Sequence, residues 1–73
     1  MDIFDEVTIL VGQKIRSIRK DKGITADVLA KKTGLSKGYI SKVENGHQSP
    51  TLLTLSKLAR ALDVPVVAFF TFL

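Results

Sequence analysis

The stretch that most constrains the fold is residues 25–46, TADVLAKKTGLSKGYISKVENG, which reads as two short helices joined by a tight turn. Thr25 and Ser36 are both N-cap types, whose side-chain oxygen accepts from an otherwise unpaired amide of the first turn, so each starts a helix. Gly34 can take the left-handed backbone that closes a helix, and the first helix is therefore predicted over 26–33. Val28, Leu29 and Ala30, with Leu35 beyond the glycine, supply apolar contact on one side, while Lys31 and Lys32 stay outside. After Ser36 the apolar positions are Ile40 and Val43, three apart, and Leu35 can staple onto Ile40. That fixes the buried side of the second helix, which Gly46 then ends.

Stepping about 100° per residue from Ile40 puts Gly38, Ser41, Lys42 and Asn45 on the side away from the core, with Lys37 and Tyr39 on its flanks. A face with two lysines, a serine, an asparagine, a tyrosine and a glycine, and no acid, suits a duplex groove better than plain solvation. Two helices in this arrangement place the second in the major groove.

Charge supports the same reading. Residues 1–13 carry three acids and no base, residues 14–42 carry nine bases against Asp21 and Asp27, and the remainder is balanced, within a formal net charge of +4. Positive charge gathered around a groove-sized helix is the footprint of a phosphate-binding protein, although an acidic protein partner would be drawn to the same patch. No run of 18 apolar residues exists and the chain begins MDIFDE, acidic where a secretory signal is basic, so no membrane partner is expected and the chain reads as soluble and cytoplasmic. The absence of cysteine rules out a disulfide staple and a thiolate metal site and suits a reducing compartment. With 73 residues the chain makes one domain whose small core rests on helix packing and on self-association.

Either side of the motif the pattern stays helical. Ile3, Phe4, Val7, Leu10, Val11, Ile15 and Ile18 form one apolar stripe over residues 3–21, with Lys14, Arg16, Lys20 and Lys22 on the polar side. Thr51 caps a further helix in which Leu52, Leu55, Leu58, Ala59 and Leu62 recur at helical spacing, and Pro65 disfavours its continuation through Val64. A fifth segment, VPVVAFFTFL over residues 64–73, has no charge and three of the four phenylalanines. Apolar on every side, it exceeds what one small core covers, so Phe69, Phe70, Phe72 and Leu73 are expected to meet a second copy or a further domain.

The runs IRSIRKDKGIT, LAKKTGLSKGYISKVENG and SPTLLTLSKLARALDVP, at these spacings, resemble the phage-repressor and Cro-type (XRE-like) helix-turn-helix regulators over roughly residues 11–70. The resemblance implies an all-α, compact five-helix repressor/Cro-like domain. It implies that Arg19 pairs with Glu44, which ends the recognition helix, and stands near the phosphate backbone. Lys37, Gly38, Ser41 and Lys42 match the family's base-facing positions, and Tyr39 matches one that touches backbone or a thymine methyl. Thr25, Ala26, Ser36, Asn45 and His47 fall on the backbone side or the flanks. One departure stands out: Ala26 occupies the position where the family commonly has a glutamine that bonds a phosphate and braces the recognition helix. Specificity then rests partly on DNA shape.

No catalytic or cofactor chemistry is visible, and no small-molecule site is evident. His47 is the only histidine, with no cysteine near it, so a metal site is not expected; it donates to a phosphate or is simply solvated. Ser41 lacks an activating histidine, and Asp27 and Glu44 lack a partner carboxylate, so no enzyme is expected. The leading reading is a sequence-specific double-stranded DNA-binding regulator of prokaryotic or phage type, a repressor by default, acting as a homodimer. The alternative is a protein-interaction module, antitoxin-like or coactivator-like, with the apolar C-terminal end as contact surface.

Overall fold

A computed structural model describes residues 6–72. The first helix, α1, runs Glu6–Asp21, and α2 (Ala26–Thr33) follows a short turn. The boundaries of α2 come from local chemistry: the Thr25 side chain accepts from the Val28 amide, and Gly34, at φ 76°, turns its own amide back onto the Ala30 carbonyl. Helix α3 (Lys37–Glu44) begins the same way, with Ser36 accepting from the Tyr39 amide at 3.0 Å. Thr51 caps α4 (Leu52–Leu62) by accepting from Thr54.

These helices close around a core in which Ile15, Leu29, Ile40, Val43, Leu58, Leu62 and Phe69 are each almost wholly shielded from water. Burying one such side chain contributes about 1.5–3 kcal/mol. Helix α1 packs on α3, on α4 and on the C-terminal turn, while α2 is held between α3 and α4. The base of α3 is therefore fixed from two directions, with Ile40 and Val43 as its inward anchors.

Three expectations are corrected. Among the described residues the fold has four α-helices, not five: the fifth element, Val66–Phe70, is a 3-10 helix with no side-chain cap. Five residues between Pro65 and Thr71 are too few to repay the nucleation of an α-helix. Phe69 is 0% exposed and belongs to the core, so it is not available to a second copy. Val28 is exposed, and so is Leu52 at 80%: Val28 lies about 100° round α2 from buried Leu29, and Leu52 is the first residue of α4, ahead of its buried positions. Helix α4 ends as expected before Val64 and Pro65, closed by Asp63, which takes the left-handed conformation at φ 57° and sends its amide to the Ala59 and Arg60 carbonyls. Ile3, Phe4 and Leu73 lie outside the described residues.

Candidate nucleic-acid interface

The recognition helix presents an outward face because its inward face is so fully used. Lys37, Gly38, Ser41 and Lys42 are all exposed, whereas Tyr39 is half-buried against the core. A methyl group built on Gly38 would meet nothing within 4 Å, so this position is open space rather than a packing requirement. Ser41 is engaged by Asn45, whose side-chain amide donates to the Ser41 carbonyl at 2.9 Å and to its hydroxyl at 3.3 Å. Those two bonds tie the last turn of α3 to itself and orient the serine.

The orientation of α3 depends on a buried ion pair. Arg19, in the last turn of α1, donates from Nε to Glu44 Oε2 at 2.7 Å and from Nη2 to Oε1 at 3.0 Å, a bidentate fork, and from Nη1 to the Ile24 carbonyl at 2.9 Å. The two side chains are only 11% and 6% exposed. Arg19 is held above its ordinary basicity, chiefly by the hydrogen bond to Glu44 and further by that residue's charge, while burial pulls the other way. Three anchors at one guanidinium thus connect α1, the turn before α2 and the end of α3. The pairing expected from the resemblance is present, and it uses three of the five guanidinium N–H groups of Arg19.

A second contact joins the starts of α2 and α3: Lys37 Nζ lies 3.5 Å from Asp27 Oδ1, with both side chains about two-thirds exposed. An exposed pair like this stabilises the fold by only about 0.2–1 kcal/mol. Ala26 lines the same shallow groove as Arg16, Arg19, Lys37, Ser41, Glu44 and Asn45. The alanine therefore does lie at the foot of the recognition helix, where a longer polar side chain would reach α3. Thr25 and Ser36 are exposed caps; each accepts from an amide and keeps its hydroxyl proton for donation. His47 is exposed just beyond α3, its amide bonded to the Lys42 carbonyl at 2.8 Å. Among the described residues no group of histidines, cysteines or carboxylates could hold a metal ion, and no helix is long and apolar enough to cross a membrane.

Sequence reasoning passed over Gly12. A methyl group there would overlap the Val43 carbonyl oxygen and press on that of Glu44 at 3.2 Å, so α1 touches the backbone of α3 where a side chain would hold it off. It placed Arg16 on the polar side of α1 but gave it no part in the site, although Arg16 is exposed and lines two grooves together with Glu44 and Asn45 at the C-terminal end of α3. A glycine at the centre of a 16-residue helix was the available signal for the first.

Two capped helices crossing at a tight turn, with the second anchored from behind and basic in front, define a helix-turn-helix module of the duplex-reading kind. A model of the helix-turn-helix family matches residues 15–69, and the chain belongs to that family, of the phage-repressor (XRE) type. It is similar to the uncharacterized HTH-type transcriptional regulator y4dJ of Sinorhizobium fredii, 39% identical over 62 residues that cover 85% of this chain and 80% of the relative. It is also similar to the immunity repressor protein of Bacillus phage phi105, 41% identical over 58 residues, 80% of this chain but only 40% of the repressor. Among solved structures, the restriction-modification controller protein C.Esp1396I, as a tetramer in complex with its natural 35 base-pair operator, superposes with a TM-score of 0.84 at 32% identity, covering 93% of this chain and 90% of that one.

Proposed function

We propose that this chain is a sequence-specific double-stranded DNA-binding transcriptional regulator that works as a homodimer, laying α3 in the major groove and repressing by occupying its site. The observation that carries the reading is the division of α3 itself. Ile40 and Val43 are 1% exposed on one side, and Lys37, Gly38, Ser41 and Lys42 stand in solvent on the other, with no acid among them. Lys37 and Lys42 donate to base edges, Ser41 reads at closer range, and the first amides of α2, beside Ala26, Thr25 and Ser36, face the backbone with Tyr39, Asn45 and His47 at the flanks. The operator complex of the controller protein supports this use of the fold.

Self-association is assigned to the C-terminal end. Val67 is 64% exposed and Val66 is exposed beside it, while Phe70 and Phe72 are half-buried with ring centroids 6.3 Å apart. Pairing through this edge sets two recognition helices on one side of a duplex about 34 Å apart. Leu52 and Leu53, 80% and 67% exposed at the start of α4, favour a second reading in which the domain also holds a protein partner.

A salt titration of duplex binding tests the proposal. Neutralising several phosphates gives a steep linear fall of log affinity with log salt, at about 0.9 per phosphate contact. Binding that is absent, or insensitive to salt, would leave the protein-partner reading in its place.

A further inference from the structure

Lys37 is one of the two lysines on the outward face of α3, and it does not stand alone there: its ammonium is 3.5 Å from the Asp27 carboxylate. Asp27 is the acid in the first turn of α2, next to Ala26, and the first turn of α3 has none. Both side chains are about two-thirds exposed, so water competes with the pair and the fold gains little from it. A carboxylate at the edge of a surface meant for a polyanion needs a reason of another kind.

The reason lies in what each neighbour of the ammonium can do. Paired with Asp27, Lys37 adds no net charge at this edge, and its pull toward backbone phosphate is cancelled. Moving the ammonium onto a phosphate would strand the carboxylate beside a second negative charge. A base edge imposes no such loss. An ammonium has three donors; one can stay on Asp27 while the other two meet guanine O6 and N7.

We propose that Asp27 is a specificity-determining positioning residue, which acts through Lys37 by cancelling its attraction to phosphate and leaving it able to read a G·C base pair. This rests on the DNA-binding reading given above. It assigns the bracing of the start of α3, which Ala26 cannot supply, to the neighbouring residue, and it makes that brace selective rather than adhesive.

The experiment compares wild type, Asp27→Asn, Lys37→Met and the double variant on two duplexes. One is a preferred site selected from a random pool, and the other differs from it only at the base pair that Lys37→Met ceases to discriminate. Asp27→Asn should bind scrambled duplex more tightly, steepen the salt slope by about 0.9 as Lys37 moves to a phosphate, and lose about fivefold or more of the discrimination. In the Lys37→Met background, Asp27→Asn should leave discrimination unchanged. Equal strengthening on every duplex with the ratio intact would overturn the proposal, and so would no change at all. If wild type itself shows no salt-dependent duplex binding, the DNA-binding reading fails and this inference falls with it.

Discussion

Replacing Gly12 with alanine sets two known effects against each other at one position. In a helix interior the change from glycine to alanine is worth about 1 kcal/mol of stability through backbone entropy alone. Against it stands the geometry, since the new methyl would overlap the Val43 carbonyl oxygen and crowd that of Glu44. Neither obstacle is the end of a flexible side chain. Both are backbone of α3, so relief requires the two helices to move apart, and overpacking of this kind costs about 1–3 kcal/mol. With a rigid obstacle the cost should fall at the upper end, leaving a net loss near 2 kcal/mol and a fall in Tm of roughly 10 °C for a domain of this size. The displaced element is the end of α3, so DNA affinity should fall at temperatures where the variant is still folded. Gly38→Ala is the matched control: it sits in open space on the same helix system and should melt higher than wild type by the propensity gain. Thermal melts followed by circular dichroism, with duplex binding measured well below the transition, give both quantities. If Gly12→Ala melts above wild type as Gly38→Ala does, α1 and α3 do not need this close approach and the reasoning is wrong.

Three further outcomes are expected. Glu44→Ala and Arg19→Ala should each cost about 3 kcal/mol, because each leaves a buried partner without its fork, and a double-mutant cycle should return strong coupling. Since Arg19 is held above its ordinary basicity, its share of that stability is complete below its unfolded value and is lost only when pH rises through the higher folded one; coupling that changed between about pH 6 and 9 through Arg19 would contradict the assignment. Lys42→Ala should lower affinity for the preferred site by about 1–3 kcal/mol and relax it at one base pair, whereas uniform weakening on all duplexes would make Lys42 a phosphate contact. Val67→Glu should give a folded monomer by sedimentation and Phe69→Glu an unfolded chain; a wild type that sediments as a monomer at high micromolar concentration would remove the tail from the dimer interface.

The parts of this fold that were legible in the sequence are those determined within one or two turns of chain. Thr25, Ser36 and Thr51 mark their helix starts because a cap is a contact across three residues, and Gly34 marks an end for the same reason. The outward face of α3 was legible because Ile40 and Val43 leave little choice of inward side. What failed was distance and extent. Periodicity made Leu52 part of the buried stripe, but α4 starts beyond the edge of the core, and spacing holds no information about where a core stops. The five-helix expectation counted an apolar segment as an α-helix, although its length allows only a 3-10 turn around Phe69. Of the contacts that build the site, Arg19 with Glu44 was reachable only through family resemblance. Asp27 with Lys37 was not reached, because it crosses a turn between two separately capped helices.

The openness around Gly38 has a bearing on how such a protein changes over generations. Since a methyl group added there touches nothing in the protein, and Lys37 and Lys42 are exposed as well, the residues proposed to choose an operator are almost uncoupled from those that hold the fold. Substitutions on this face are nearly neutral for folding, within about ±0.5 kcal/mol for an ordinary surface position. A lineage can therefore drift from one target sequence to another by single steps, none of which passes through an unfolded ancestor. The penalty for change falls instead on Gly12, Arg19 and Glu44, which set the angle at which any such face is offered.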